Sequence, residues 1–194
     1  MSKQLFIILV IYFSTSSLKC IKERLEDRLP EPTQEGRNTF GCYVNGTLFI
    51  TGETLFGNVN PTSCTYYSQA INSIPTGNVP AGTLIIQGIG ITREISGDII
   101  IQKTGLFSPG IYSLVSDTCQ YPNRCDAAVY YSRRELNDST SQGVHYVSKE
   151  GQLVITKLDT INKVVSGTFK FIAADSAGKI RIISDGRFDL KIEN

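Results

Sequence analysis

From Thr39 to the carboxyl end, apolar residues recur at every second position, a period that fits strands and not helices. The run KVVSGTFKFIAAD shows it best. Val165, Gly167, Phe169, Phe171 and Ala173 share one face, and Ser166, Thr168 and Lys170 share the other. One buried and one wetted face is the pattern of an antiparallel sheet. Nearer the end, Ile180, Ile182, Phe188, Leu190 and Ile192 fall in one phase. Arg187, Asp189, Lys191 and Glu193 fall in the other, alternating in sign, as a solvated outer face would. Ser176-Ala177-Gly178 supplies a turn, so 164–174 and 179–193 are expected to pair as a hairpin. Asn45-Gly46, between TFGCYV and TLFIT, is a second hairpin signal, because both turn positions need positive φ. GTLIIQGIGIT, DIIIQK, GIYSL, AAVYYSR and GQLVITKLD read as further strands, with Gly, Pro and Asp between them. The expected fold is all-β: a single antiparallel β-sandwich of about ten strands over residues 37–194.

The 194 residues are 41% hydrophobic, enough for one domain with a real core. Nineteen basic residues balance 18 acidic ones, with no basic stripe, so no nucleic-acid partner is expected.

The amino end has a different composition. Lys3 precedes the apolar stretch Leu5–Phe13, and the small residues Ser14–Ser17 follow. This is the layout of a secretory signal peptide, expected over residues 1–19, and it is too short to span a bilayer. Two processing routes fit. An ordinary signal peptidase would use Ser14 and Ser16. A lipoprotein signal peptidase would cut before Cys20 and leave that thiol carrying lipid, although Ser17-Leu18-Lys19 departs from a lipobox at Ser17 and Lys19. The cysteine count bears on this choice. Cysteines stand at 20, 42, 64, 119 and 125. Setting Cys20 aside leaves four, and thiols tend to pair in an oxidising compartment. Three connectivities exist, with Cys42–Cys64 and Cys119–Cys125 preferred; buried free thiols are the alternative. Residues 20–36 then read as a lipidated Cys and flexible tether, reaching about 50 Å when extended. Within it Ile21, Leu25 and Leu29 are spaced for one or two helical turns, which Pro30 would end.

The search for chemistry is short. His145, in GVHYVSK, is the only histidine, GxSxG is absent, and the set for a zinc site is lacking, so no metal and no cofactor are expected. His145 reads as a strand residue beside Tyr146. A glycosidase needs two carboxylates about 5–9.5 Å apart. Asp185 and Asp189 on one strand would be ~13 Å apart, which leaves only a cross-strand pair. Asp117, Asn123 and Asp126 around CQYPNRC offer oxygens to calcium, without an EF-hand pattern. Tyr66, Tyr67, Tyr121, Tyr130 and Tyr131 are candidate sugar platforms. Adjacent tyrosines on a strand point to opposite faces, so one of each pair belongs to the core.

LPEPTQEGRNTFGCYVNGTLF (29–49), GQLVITKLDTINKVVSGTFKF (151–171) and ISDGRFDLKI (183–192) together resemble an uncharacterised lipoprotein family of Bacteroidota, with its NTFGC-x-VNG, G-x-L-x-ITKLD, SGTF-x-F and GRFD motifs. The resemblance is strong at both ends of the mature chain and weak from about 50 to 150. It implies an exported, lipid-anchored all-β domain, with Cys20 as the lipid attachment residue, in the outer membrane or elsewhere in the cell envelope. A secreted or periplasmic form is the alternative. It brings no activity and no catalytic residues. Asp138-Ser139-Thr140, Asp159-Thr160-Ile161 and Asp175-Ser176-Ala177 resemble O-glycosylation tripeptides of that group. Asn45-Gly46-Thr47 and Asn137-Asp138-Ser139 fit the N-glycosylation pattern, which has no bearing in a bacterium. The function expected is a non-catalytic envelope lipoprotein. It would be held to the membrane by its N-terminal lipid and bind an envelope protein or glycan. An envelope glycan hydrolase using cross-strand carboxylates is the alternative.

Overall fold

The computed structural model describes residues 28–51, 61–73, 77–91, 95–115, 126–135 and 143–193. They form twelve strands: β1 (Thr39–Val44), β2 (Thr47–Ile50), β3 (Thr62–Tyr67), β4 (Ile71–Ser73), β5 (Gly77–Val79), β6 (Thr83–Ile91), β7 (Ile95–Lys103), β8 (Gly110–Ser113), β9 (Ala127–Glu135), β10 (Val144–Asp159), β11 (Val164–Ala174) and β12 (Ile180–Lys191). There is no helix among the described residues. Ten strands make one antiparallel sheet in the order β2-β1-β12-β11-β10-β9-β7-β6-β3, with β8 also paired to β10; β4 and β5 form a separate hairpin.

The all-β, antiparallel expectation holds, but the strands are not divided between two stacked sheets. One continuous sheet curls into a half-barrel and packs its inner face against itself. Phe40 of β1 lies over Gly88 of β6, and Phe49 of β2 lies over Gly90 of β6. Just beyond β12, the Glu193 amide donates to the Cys64 carbonyl of β3 at 2.7 Å. The enclosed core includes Phe40, Phe49, Leu84, Ile86, Ile99, Ile101, Tyr130, Tyr146, Leu153, Phe169 and Phe188, all buried.

Both hairpins expected from turn chemistry form. Val44 pairs Thr47 around Asn45 (φ 49°) and Gly46 (φ 80°). The β11–β12 hairpin closes through the turn after Asp175, whose carboxylate accepts from the Ala177 and Lys179 amides. Along β11 the inward set Val165, Gly167, Phe169, Phe171 and Ala173 is buried as its alternation requires.

In β12 the alternation slips. Gly41 pairs Arg187 but Tyr43 pairs Ser184, and Phe169 pairs Gly186 but Phe171 pairs Ile183. One extra residue is accommodated at Asp185, which takes φ 53°, a conformation Asp tolerates better than most residues. The bulge reverses the phase. Below it Phe188, Leu190 and Ile192 point inward; above it Arg181 and Ile183 do, while Ile180 and Ile182 face out, exposed. The single phase read from Ile180 to Ile192 is thereby corrected.

The end of the tether is corrected as well. From Pro30 to Arg37 the chain is not free: it forms a strap across the outer face of β1, β12, β11 and β10. Arg187 donates to the Pro30 carbonyl at 3.3 Å, and Lys157 donates to the Gln34 carbonyl at 3.0 Å. Asn38 (φ 55°) accepts from the Lys191 amide as the chain turns into β1.

Candidate functional site

The most heavily bonded side chain in the strap region is Asp189. Strand β12 delivers it to the outer face opposite Ser166 of β11. Ser166 Oγ donates to Oδ1 at 2.7 Å, and Thr33 Oγ1 donates to Oδ2 at 2.5 Å. The consecutive amides of Glu35 (3.0 Å), Gly36 (2.8 Å) and Arg37 (3.2 Å) also point at this carboxylate. Successive N–H groups make an anion nest, here filled by the protein's own side chain. Gly36 is required there twice over. Its φ is 72°, and an added Cβ would come within 3.0 Å of Lys191 Cγ and 3.1 Å of Val164 Cγ2. Burial alone would raise the Asp189 pKa. The hydrogen bonds from Thr33, Ser166, Gly36 and Glu35 outweigh it and hold the group at about 2. The carboxylate is therefore a charged latch with both oxygens engaged, not an acid or base open to a substrate. Sequence alternation placed it correctly on the outer face, but not under the strap; Asp189 is 1% exposed.

Other carboxylates hold backbone in the same way. Asp126 accepts from Lys103 Nζ, and from the Thr104 amide and hydroxyl at 2.6 Å each. Those bonds outweigh burial and lower its pKa. Asp117 and Asn123, the other oxygens considered for calcium, lie outside the described residues. No group of three or more His, Cys, Asp or Glu able to hold a metal occurs among the described residues. Asp159 caps the β10–β11 turn, accepting from the Ile161 and Asn162 amides, and these bonds lower its pKa. Asp185, in the bulge, is exposed, so it and Asp189 form no pair. Of the O-glycosylation tripeptides, those at 159–161 and 175–177 sit in turns, with Thr160 and Ser176 exposed; residues 138–140 lie outside the described residues.

The tyrosines divide as the alternation requires. Tyr66 and Tyr130 are core: Tyr66 donates to the Leu106 carbonyl at 2.9 Å, and Tyr130 stacks on Tyr146 at 5.8 Å. Neither is a platform for sugar. Tyr67 and Tyr131 face outward, half-buried, and Tyr121 lies outside the described residues. The outward partner of Tyr131 is His145, directly across the β9–β10 ladder, with ring centroids 4.5 Å apart. His145 is thus a cross-strand aromatic partner of Tyr131. The inward arginine is the residue sequence reasoning missed: Arg181, nearly buried, lies over the Tyr146 ring at 4.8 Å. The bulge puts it there, and no periodicity signals it.

Cys42 and Cys64 are free thiols in the structure, both buried, so the preferred Cys42–Cys64 link is not formed. Each fills an inward position and packs as a small apolar residue. Burial raises both pKa values, Cys64 to about 12 with a contribution from the nearby Glu193 charge. With so little thiolate they are poor nucleophiles. Cys20, Cys119 and Cys125 lie outside the described residues.

Comparisons with models of known protein families, with curated proteins and with solved structures found no match.

Proposed function

We propose that the chain is a non-catalytic, exported envelope lipoprotein. It is held to the membrane through Cys20 and presents its β-domain as a binding or structural module. The supporting observation is the latched strap. Chain termini are ordinarily held loosely. Here the segment next to the expected anchor is tied by four hydrogen bonds to a carboxylate in the middle of the sheet. A pull at Cys20 would be delivered to β11 and β12, each paired on both sides, instead of peeling an edge strand. The engagement of Asp126, Asp159, Asp175 and Asp189 with backbone gives the glycan-hydrolase alternative no support.

Fractionation with intact mass tests the reading. The exported protein is expected in the membrane fraction, with residues 1–19 removed and acyl mass on Cys20. Cys20→Ser should move it to the soluble envelope fraction. A wild-type protein found soluble and unacylated would overturn the anchor. Alkylation of the same material checks the thiols. Cys42 and Cys64 should react only after unfolding and without reductant, and Cys119 and Cys125, proposed to pair, only after reduction as well.

A further inference from the structure

The bulge at Asp185 leaves apolar side chains on the outer face, at the end of the sheet nearest the β11–β12 turn. Ile172 of β11 lies directly across from Ile182 of β12, and Ile180 follows on the same face. Their exposures are 36%, 53% and 56%. Exposed apolar residues standing singly are ordinary, whereas a cluster on one sheet face marks a contact surface. The strap stops short of it. Pro30 sits over Gly41, beside Arg187. Arg187 pairs Thr168, about 13 Å of strand from Ile172.

Charges flank the isoleucines on both sides. Toward the strap, Lys170 of β11 lies opposite Ser184 and Asp185, the two residues that the bulge sets against one. Lys170 and Asp185 are exposed, and among the described residues neither makes an ion pair or a side-chain hydrogen bond. Toward the turn stand Asp175, just after β11, and Lys179, just before β12, joined by the Asp175 amide donating to the Lys179 carbonyl at 3.1 Å. The Ala177 and Lys179 amides both donate to Asp175 Oδ1, so Oδ2 takes no part in that turn. Along β11 the charge therefore runs from plus near the strap to minus at the turn. Along β12 it runs from minus to plus over the same span.

We propose that this face pairs with a second copy of the chain. The charge pattern fixes how. A two-fold axis that crosses the strands at the Ile172–Ile182 row lays β11 on β11 and β12 on β12, running opposite ways. Ile172 and Ile182 then meet their own counterparts. Lys170 meets the other copy's Asp175, and Asp185 meets the other copy's Lys179, so all four charges face an opposite sign at the rim of an apolar centre. The two straps lie outside the overlap, at its opposite ends. An axis along the strands would instead set strap against strap and hold the sheets apart. The overlap is about 20 Å long and four strands wide, on the order of 1,000 Å² of accessible surface over both copies, which is the size of a weak, reversible dimer.

The test uses the chain carrying Cys20→Ser, so that no lipid is present. Sedimentation from about 10 μM to about 1 mM should show monomer passing into dimer. Ile182→Asp should raise the dimer dissociation constant at least about tenfold, and Lys170→Glu, which turns both of its ion pairs into repulsions, on the order of tenfold. Both positions are exposed, so unfolding midpoints should stay near the wild-type value. Under mild oxidation Ile182→Cys should form a 182–182 link between copies on the order of tenfold faster than Ile161→Cys forms a 161–161 link, although Ile161, in the β10–β11 turn, is the more exposed. Monomer throughout the concentration range, a dimer indifferent to Lys170→Glu, or equal linking rates would overturn the proposal. So would an Ile182→Cys thiol shielded from alkylation in the dilute monomer, as a segment of the same chain would shield it, or shielded only on vesicles of anionic phospholipid. The dimer needs no lipid, so its failure leaves the anchor reading standing, and failure of the fractionation leaves the dimer standing.

Discussion

Asp189→Ala is expected to cost about 3–5 kcal/mol of stability, because it removes a buried charge and strands the donors gathered around it. For a domain of this size that is a fall in Tm of roughly 10 °C. The strap should come away with it, so limited proteolysis should cut the variant before Thr39 and spare the wild type. Asparagine is no substitute. Gly36 N–H points at Oδ1, and Glu35 and Arg37 N–H point at Oδ2. Whichever way the amide is turned, its NH2 meets at least one backbone donor, whereas the Thr33 and Ser166 hydroxyls can rotate. A pH series separates the charge from the shape. The folded pKa, about 2, lies below the ordinary carboxylate value of 3.8. The latch therefore contributes in full above the unfolded value and fades as pH falls through about 2, a contribution of ~2 kcal/mol. Denaturation midpoints of wild type and Asp189→Asn should differ at pH 6 and converge only as pH falls below about 2. A constant gap across that range would refute the charged latch.

Gly88→Ala is the second change with a large expected effect, about 3 kcal/mol, since the new methyl would lie only 2.7 Å from Phe40 Cγ and Cε1 and closer still to Cδ1. Retreat of Phe40 is hindered by Phe169, which stacks on it with ring centroids 5.0 Å apart. Phe169 in turn occupies the space over Gly186, where a Cβ would come within 2.5 Å of its ring. Glycines on the inner face thus make room for the rings on which the curled sheet closes. Phe40→Ala should cost about 3–5 kcal/mol by leaving a cavity. Phe40→Leu combined with Gly88→Ala should recover about 1 kcal/mol or more relative to the sum of the single changes, measured by urea unfolding. Strict additivity would mean that the two do not meet.

The mistaken expectations have a common form. Alternation along β12 is a local signal, and it reads correctly from Arg187 to Ile192. The bulge at Asp185 depends on the pairing of β12 with β1 and β11 together, and it sent Ile180 and Ile182 outward and Arg181 in. Likewise the cysteine count suggested a bond, whereas the curl of the sheet gave Cys42 and Cys64 separate places in one apolar core.

By itself the sequence determined what depends on neighbours along the chain: period-two faces, the positive-φ turn at Asn45-Gly46, and the β11–β12 hairpin. Each follows from side-chain direction or backbone sterics within a few residues. Only the tertiary structure decided that a charged, polar-looking segment would cross the outer face and turn Asp189 from a solvated carboxylate into a buried latch. That outcome required donors more than 150 residues away in the chain to converge on one anion, and no local pattern encodes such a meeting.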